Sequence, residues 1–168
     1  KNFQAFPHKT LPGVISSLNA EGYQTGVYGH LWTGETDENM YHSIGFSKVA
    51  VPPGGLDSGN VPWRQKLEID EAALAMLESD ITQWNSQNRR FAVAFLPNAG
   101  HGPWPDMSSD NEKQTIPERG RALMRLQDEW LGELVSVLEK NHMLSNTIIV
   151  VTSDHGVRDK VDDPAFNI

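Results

Sequence analysis

Apolar residues along the chain fall into alternating helix-like and strand-like runs. Leu11, Val14, Ile15 and Leu18 keep helical spacing behind Thr10, with Pro12 in the first turn and Gly22 just past the end, which predicts a helix capped by Thr10. Tyr23 to Tyr28 reads as a short strand. Residues 30–64 are rich in Gly, Pro, Asp and Ser, include "VPPGG" at 51–55, and keep no sustained period, so a long loop region with small elements is expected there. Leu67, Leu74, Leu77, Ile81 and Trp84 then define one apolar face of a long helix from Lys66 to about Asn88. The unbroken apolar run Phe91 to Leu96, stopped by Pro97, predicts a strand covered on both faces, as in a parallel sheet. After a polar loop, Leu123, Leu126, Trp130, Leu134 and Val137 predict a second long helix from about Pro117 to Lys140, and Thr147 to Thr152 reads as a further strand.

This order of helices and strands is the logic of βαβ units, so the fold class expected is α/β with a mostly parallel sheet between helix layers. At 168 residues the chain is long enough for one core, and a single domain over 1–168 is expected. Hydrophobic residues at 38% and charged residues at 21% belong to an ordinary globular chain. The formal net charge of -8 argues against nucleic acid or an anionic membrane surface as the main partner, because both attract basic surfaces. No stretch reaches the roughly 18 apolar residues of a membrane helix. With no Cys, a disulfide, a thiolate metal site and a cysteine nucleophile are all excluded within these residues, while the redox compartment stays open. Starting at Lys1 with neither methionine nor signal sequence, and stopping soon after the last strand, the chain reads as a piece of a longer protein.

Candidate chemistry gathers after the strands. In open α/β sheets ligands bind beyond the carboxyl ends of the strands. Here those positions hold His30, then His101, then Asp154 with His155. Each has a plainer reading: a lone His after a strand is most often a surface or turn residue, which also suits His8, His42 and His142, and Asp-His-Gly alone makes a good turn. Against the turn stands the rigid run before it, and Asp and neutral His are both divalent-metal ligands.

The stretches "LPGVISSLNAEGYQTGVYGH", "GHGPWPD" and "RLQDEWLGELVSVLEKNHMLSNTIIVVTSDHG", in this order, resemble the sulfatase branch of the alkaline phosphatase superfamily. The matching pieces are Gly22-Tyr23-Gln24-Thr25, His101-Gly102-Pro103-Trp104, Asp128 with Gly132, and Ser153-Asp154-His155-Gly156, covering Thr10 to Gly156. The resemblance implies a partial three-layer α/β/α sandwich. It also implies that Asp154 and His155 ligate a divalent metal that activates the nucleophile and neutralises the ester oxygens. His101 would contact the sulfate or phosphate group or help protonate the leaving group, whereas Asp128 would be structural. An extracytoplasmic location is implied as well.

The sequence departs from the family pattern in two places and offers one decoy. The family nucleophile, a formylglycine from "C/S-x-P-x-R" or a Thr in related phospho-transferases, should precede the first helix, as should two further acidic ligands. Only "KNFQAFPHK" stands there, so these residues alone are expected to be inactive. Thr115-Ile116-Pro117-Glu118-Arg119 fits "T-x-P-x-R", but it follows the His101 loop, and Thr before Ile-Pro is a good helix cap. Where many sulfatases have "GKWHLG", this chain has "GHLWTG", so His30 stands at the Lys and Trp32 at the His. That substitution is similar to phosphoglycerol-transferase-like members. Among Ca, Mn and Zn, an imidazole ligand favours Mn or Zn. The expected function is metal-dependent hydrolysis of sulfate esters. The alternatives are a phosphoglycerol or phosphoethanolamine transferase of the same superfamily and a non-catalytic degenerate domain.

Overall fold

The computed structural model describes residues 10–31, 34–55, 61–102, 104–108 and 114–153. The chain forms two compact units, Lys1–Ala99 and Gly100–Ile168.

The first unit is a parallel three-stranded sheet with helices. Its elements are α1 (Val14–Ala20), β1 (Gln24–Gly29), α2 (Glu35–Ile44), β2 (Lys48–Ala50), α3 (Trp63–Ser86) and β3 (Phe91–Leu96). The strand order is β2-β1-β3, so the chain leaves the edge strand β2 through α3 and crosses β1 to reach the other edge. β1 runs in register with β3 from Gln24 opposite Phe91 to Gly29 opposite Leu96, and pairs with β2 through Gly26, Val27 and Tyr28. Thr25 to Gly29 are all buried, and because successive strand residues face opposite sides, both faces of β1 are covered. α1 and α3 lie against β1, α3 also against β3, and α2 against β2.

The apolar stripe of α3 is the main source of core. Leu67, Ala73, Leu74, Leu77, Ile81 and Trp84 are buried, and Trp84 stacks on Phe91 with ring centroids 5.8 Å apart. Burial of one such large side chain contributes about 1.5–3 kcal/mol. Two polar fastenings complete the sheet. Tyr28 is fully buried and donates its hydroxyl to Asp80 of α3, which also takes the Lys48 ammonium from β2. Burial first, and then the Asp80 carboxylate, push the Tyr28 hydroxyl pKa far up, so it stays a proton donor. At the other end of β1, Thr25 of the "GY-x-T" piece accepts the Ser47 N–H at 2.9 Å, while the Ser47 hydroxyl donates to the Thr25 carbonyl at 2.8 Å.

Residues 30–64 contribute more than loop, since α2 and β2 both come from them. Glu35, Asp37 and Glu38 fill the first turn of α2, where the helix dipole favours acids. Gly45 ends α2 in the left-handed region at φ 114°, with Gly45 N–H to His42 O at 3.0 Å and Phe46 N–H to Tyr41 O at 3.2 Å, the Schellman pattern. The first helix is also shorter than expected. Gly13, not Thr10, precedes it, and the Ser16 hydroxyl accepts the Gly13 N–H at 2.9 Å. β3 is only half-buried, because among the described residues it has a neighbouring strand on one side alone.

The second unit is built on α4 (Ile116–Lys140), followed by a short 3-10 turn at Leu144–Asn146. Leu123 and Trp130 of the expected inward face are buried, and Leu126, Leu134 and Val137 are half-buried. The expected strand Thr147 to Thr152 is not formed. Ile148, Ile149, Val150 and Val151 are exposed, Ile148 at 90%, and the run carries no strand ladder. The physical reason is pairing: β-branched residues favour extended backbone, but a strand needs a partner, and the described residues of this unit contain none.

Gly45 gives a direct test of the α1–α2 junction. A Cβ there would lie 2.6 Å from the Ser16 backbone in addition to the strain of its positive φ. Gly45→Ala is expected to destabilise the fold by roughly 2–4 kcal/mol, read as a lower urea midpoint at unchanged slope. A loss below about 0.5 kcal/mol, the usual range of surface changes, would show that the junction is not close-packed.

Candidate functional site

The parallel register brings the ends of β1 and β3 side by side, because Gly29 pairs with Leu96. The approach is close: a Cβ on Gly29 would meet the Leu96 carbonyl at 2.5 Å. His30 follows directly. Its side chain is half-buried with both ring nitrogens shielded from solvent, and the next residue, Leu31, is anchored by its N–H to Gly55 O at 2.8 Å.

The exit of β3 is held by a residue that sequence reasoning missed. Asp70 of α3 is fully buried, accepts the Asn98 side-chain amide at 3.2 Å and accepts the Ala99 N–H at 3.0 Å. Burial pushes its carboxyl up to about 6, and the hydrogen bonds from Asn98 and Ala99 oppose that rise without cancelling it. Among the described residues the buried Asn98 Oδ1 has no hydrogen-bond partner. A signal for Asp70 was present: it falls three residues after Leu67 and four before Leu74, on the apolar stripe, where an acid needs a specific partner.

In the second unit, His101 stands exposed on the loop that leads to α4, with Nδ1 at 2.6 Å from Gly102 O. A carbonyl only accepts, so Nδ1 carries a proton. The Trp104 indole donates to Gly100 O at 3.3 Å. Asp106 accepts the Ser108 hydroxyl at 2.6 Å, the Ser108 N–H at 3.0 Å and the Gln114 N–H at 3.2 Å. The Ser108 contacts first, and then Arg119 and Gln114, hold the Asp106 carboxyl below the usual range. Arg119 reaches Gln114 O at 3.1 Å, Trp104 O at 3.4 Å and Asp106 Oδ2 at 3.4 Å.

Thr115 is a helix cap, as the sequence suggested. Its N–H and its hydroxyl both meet Glu118 Oε2 at 2.7 Å, and Pro117 sits in the first turn. Its hydrogen bonds are those of a cap and give no sign of an activated nucleophile. His42 and His142 also serve local structure: His42 Nδ1 lies 2.9 Å from Phe46 O, and His142 closes α4 at φ 58°. Asp128 is exposed on α4.

Asp154 and His155, the expected metal pair, lie outside the described residues, as do Trp32 and Pro103. Among the described residues no group of three or more His, Cys, Asp or Glu is arranged to hold a metal ion. No described helix is long and apolar enough to cross a membrane. The structure thus places His30 and the exit of β3 at one edge of a parallel sheet, and gives His101 a hydrogen-bonded loop.

Parallel strands, crossover helices and polar residues at strand ends define an open α/β fold. The family described as Sulfatase matches residues 2–160, and the chain belongs to that family. Among solved structures it is similar to the crystal structure of the lipoteichoic acid synthase LtaP from Listeria monocytogenes. The TM-score is 0.64 at 17% sequence identity, over 84% of this chain and 36% of that one. At that identity the likeness establishes the fold, and this chain spans about a third of the length of that structure. Comparison with curated proteins gives no match.

Asp70 generates a pH prediction. Its folded pKa, about 6, lies above the ordinary 3.8, so the folded state holds the proton more tightly than the unfolded state. That stabilisation is fully present below about pH 4, is lost as pH rises through about 6, and amounts to roughly 3 kcal/mol. Asn at this position still accepts the Ala99 N–H, and its amide donates to Asn98 Oδ1 once that amide turns over. Asp70→Asn is therefore expected to gain stability over wild type at about pH 7.5 and to gain little at about pH 4. An equal difference at both pH values, by urea unfolding, would exclude titration of Asp70 in this range.

Proposed function

We propose that this chain is part of the catalytic domain of a metal-dependent enzyme acting on sulfate or phosphate esters, with hydrolysis of a sulfate ester as the first reading. The observation that carries it is the exposed imidazole of His101, on a hydrogen-bonded loop after a parallel strand, with Nδ1 engaged by Gly102 O. As the transferring group separates from the leaving oxygen, negative charge grows on that oxygen; the imidazolium form, protonated at both nitrogens, would give its Nε2 proton to it and return to the neutral ring with Nδ1–H on Gly102 O. His30 is the second substrate-side residue, a donor to the ester oxygens. Its shielded ring nitrogens make it the weaker of the two. Asp154 and His155 supply one carboxylate and one imidazole, a donor set that suits Mn or Zn better than Ca. A divalent ion held there would supply positive charge for the ester oxygens. An extracytoplasmic location belongs to the same reading.

The second reading is transfer of a phosphoglycerol-type unit. Two observations favour it: His30 stands where sulfatases commonly carry Lys, and the fold is similar to that of a lipoteichoic acid synthase.

Both readings are tested in the full-length protein with Mn, Zn or Ca, using an aryl sulfate and an aryl ester of glycerol phosphate. Sulfate-ester hydrolysis predicts turnover of the first substrate, and phosphoglycerol transfer predicts turnover of the second. Asp154→Ala is expected to remove metal-dependent activity, and His101→Ala to lower kcat by about 10²–10⁴-fold. Unchanged activity in Asp154→Ala would sink the metal assignment. Failure of both substrates together with absence of metal binding would favour a non-catalytic domain.

A further inference from the structure

The Thr115–Arg119 segment mimics a nucleophile motif, yet Thr115 and Glu118 are consumed in capping α4. Arg119 is left with a different set of partners. Its guanidinium spreads over Gln114 O, Trp104 O and Asp106 Oδ2, at 3.1, 3.4 and 3.4 Å. Asp106 in turn gathers Ser108 and Gln114. The Trp104 indole then donates to Gly100 O, one residue before His101. A polar chain therefore runs from the first turn of α4, through Trp104, to the residue next to the imidazole. Further along α4, Gln127 closes on the same point, since a Cβ on Gly100 would lie 3.0 Å from its side-chain amide.

We propose that Arg119 is a positioning residue for His101, acting through Trp104 and Asp106 to hold residues 100–102 and 104–108 against α4. The proposal rests on the reading that His101 meets the substrate. An exposed imidazole cannot be fixed by burial, so its aim depends on how firmly its backbone is held. The planar guanidinium suits this task because it donates in several fixed directions at once, whereas a Lys ammonium is a single point. Misplacing a reacting group by about 1 Å costs on the order of 10²-fold in rate.

The test uses the full chain and a set of aryl esters, of whichever class it turns over, whose leaving groups differ in pKa. His101→Ala sets the reference, since loss of the acid slows the poorest leaving groups most. Arg119→Lys is expected to lower kcat about 10-fold with a similar KM, to steepen the leaving-group dependence in the same direction, and to add nothing further to His101→Ala. Trp104→Phe, which keeps a ring and loses only the N–H to Gly100, is expected to shift the dependence in the same sense. It decides the matter if Arg119→Lys does not fold. Equal slowing of all leaving groups, or full additivity with His101→Ala, would make Arg119 merely structural and overturn the proposal. If His101→Ala itself leaves rate and leaving-group dependence unchanged, the reading of His101 fails and takes the proposal with it. That outcome is separable, because no Arg119 variant is needed to see it.

Discussion

The covering of β1 on both faces is the constraint from which the first unit follows. A strand with Thr25 to Gly29 all buried cannot satisfy its backbone with water, so its N–H and C=O groups depend on β2, β3 and the residues that flank them. Parallel pairing on both sides then forces crossovers, and the crossovers are helices that cover the faces. The same pairing brings the ends of β1 and β3 level, with Gly29 opposite Leu96. His30 and Pro97 therefore leave the sheet at adjacent points, as a consequence of register.

Much of this was legible where burial imposes a period. α3 and α4 announce themselves because one face of each must be apolar, and β3 falls on Phe91–Leu96 because its apolar run has sharp limits. α2 was not legible, since its first turn is acidic and its ends are set by glycine conformations instead of an apolar stripe. β2 is three residues long and only partly buried, too short to show alternation. The run Thr147 to Thr152 shows the reverse failure: Ile and Val in series state a preference for extended backbone, but a partner decides whether a strand exists, and composition carries no information about partners.

The candidate site divides in the same way. His101 could be found because it follows the apolar run Phe91–Leu96 and lies in "GHGPWPD", a stretch that resembles the family pattern. Asp106 and Arg119 could not, because charged residues in a polar loop look like ordinary solvated surface. Asp70 is intermediate. It interrupts an apolar stripe, and the cost of burying a carboxylate makes such an interruption informative, yet only the structure shows that Asn98 and Ala99 receive it.

Reactivity and rigidity place opposite demands on such a site. Close packing fixes a side chain by surrounding it, and a surrounded imidazole cannot meet an ester. On the proposed reading of His101, this chain separates the two demands along the backbone. Asp70 fixes Asn98 and Ala99 in a buried setting, and Arg119 with Asp106 fixes Trp104 and its neighbours in a half-exposed one. His101 follows Ala99 and precedes Trp104 in the sequence, and its side chain is exposed. The two fastenings differ in kind because their settings differ. In the buried one a carboxylate is costly to ionise, and its pKa rises to about 6. In the exposed one water screens the charge, so geometry and the number of hydrogen bonds, more than Coulomb attraction, hold the loop.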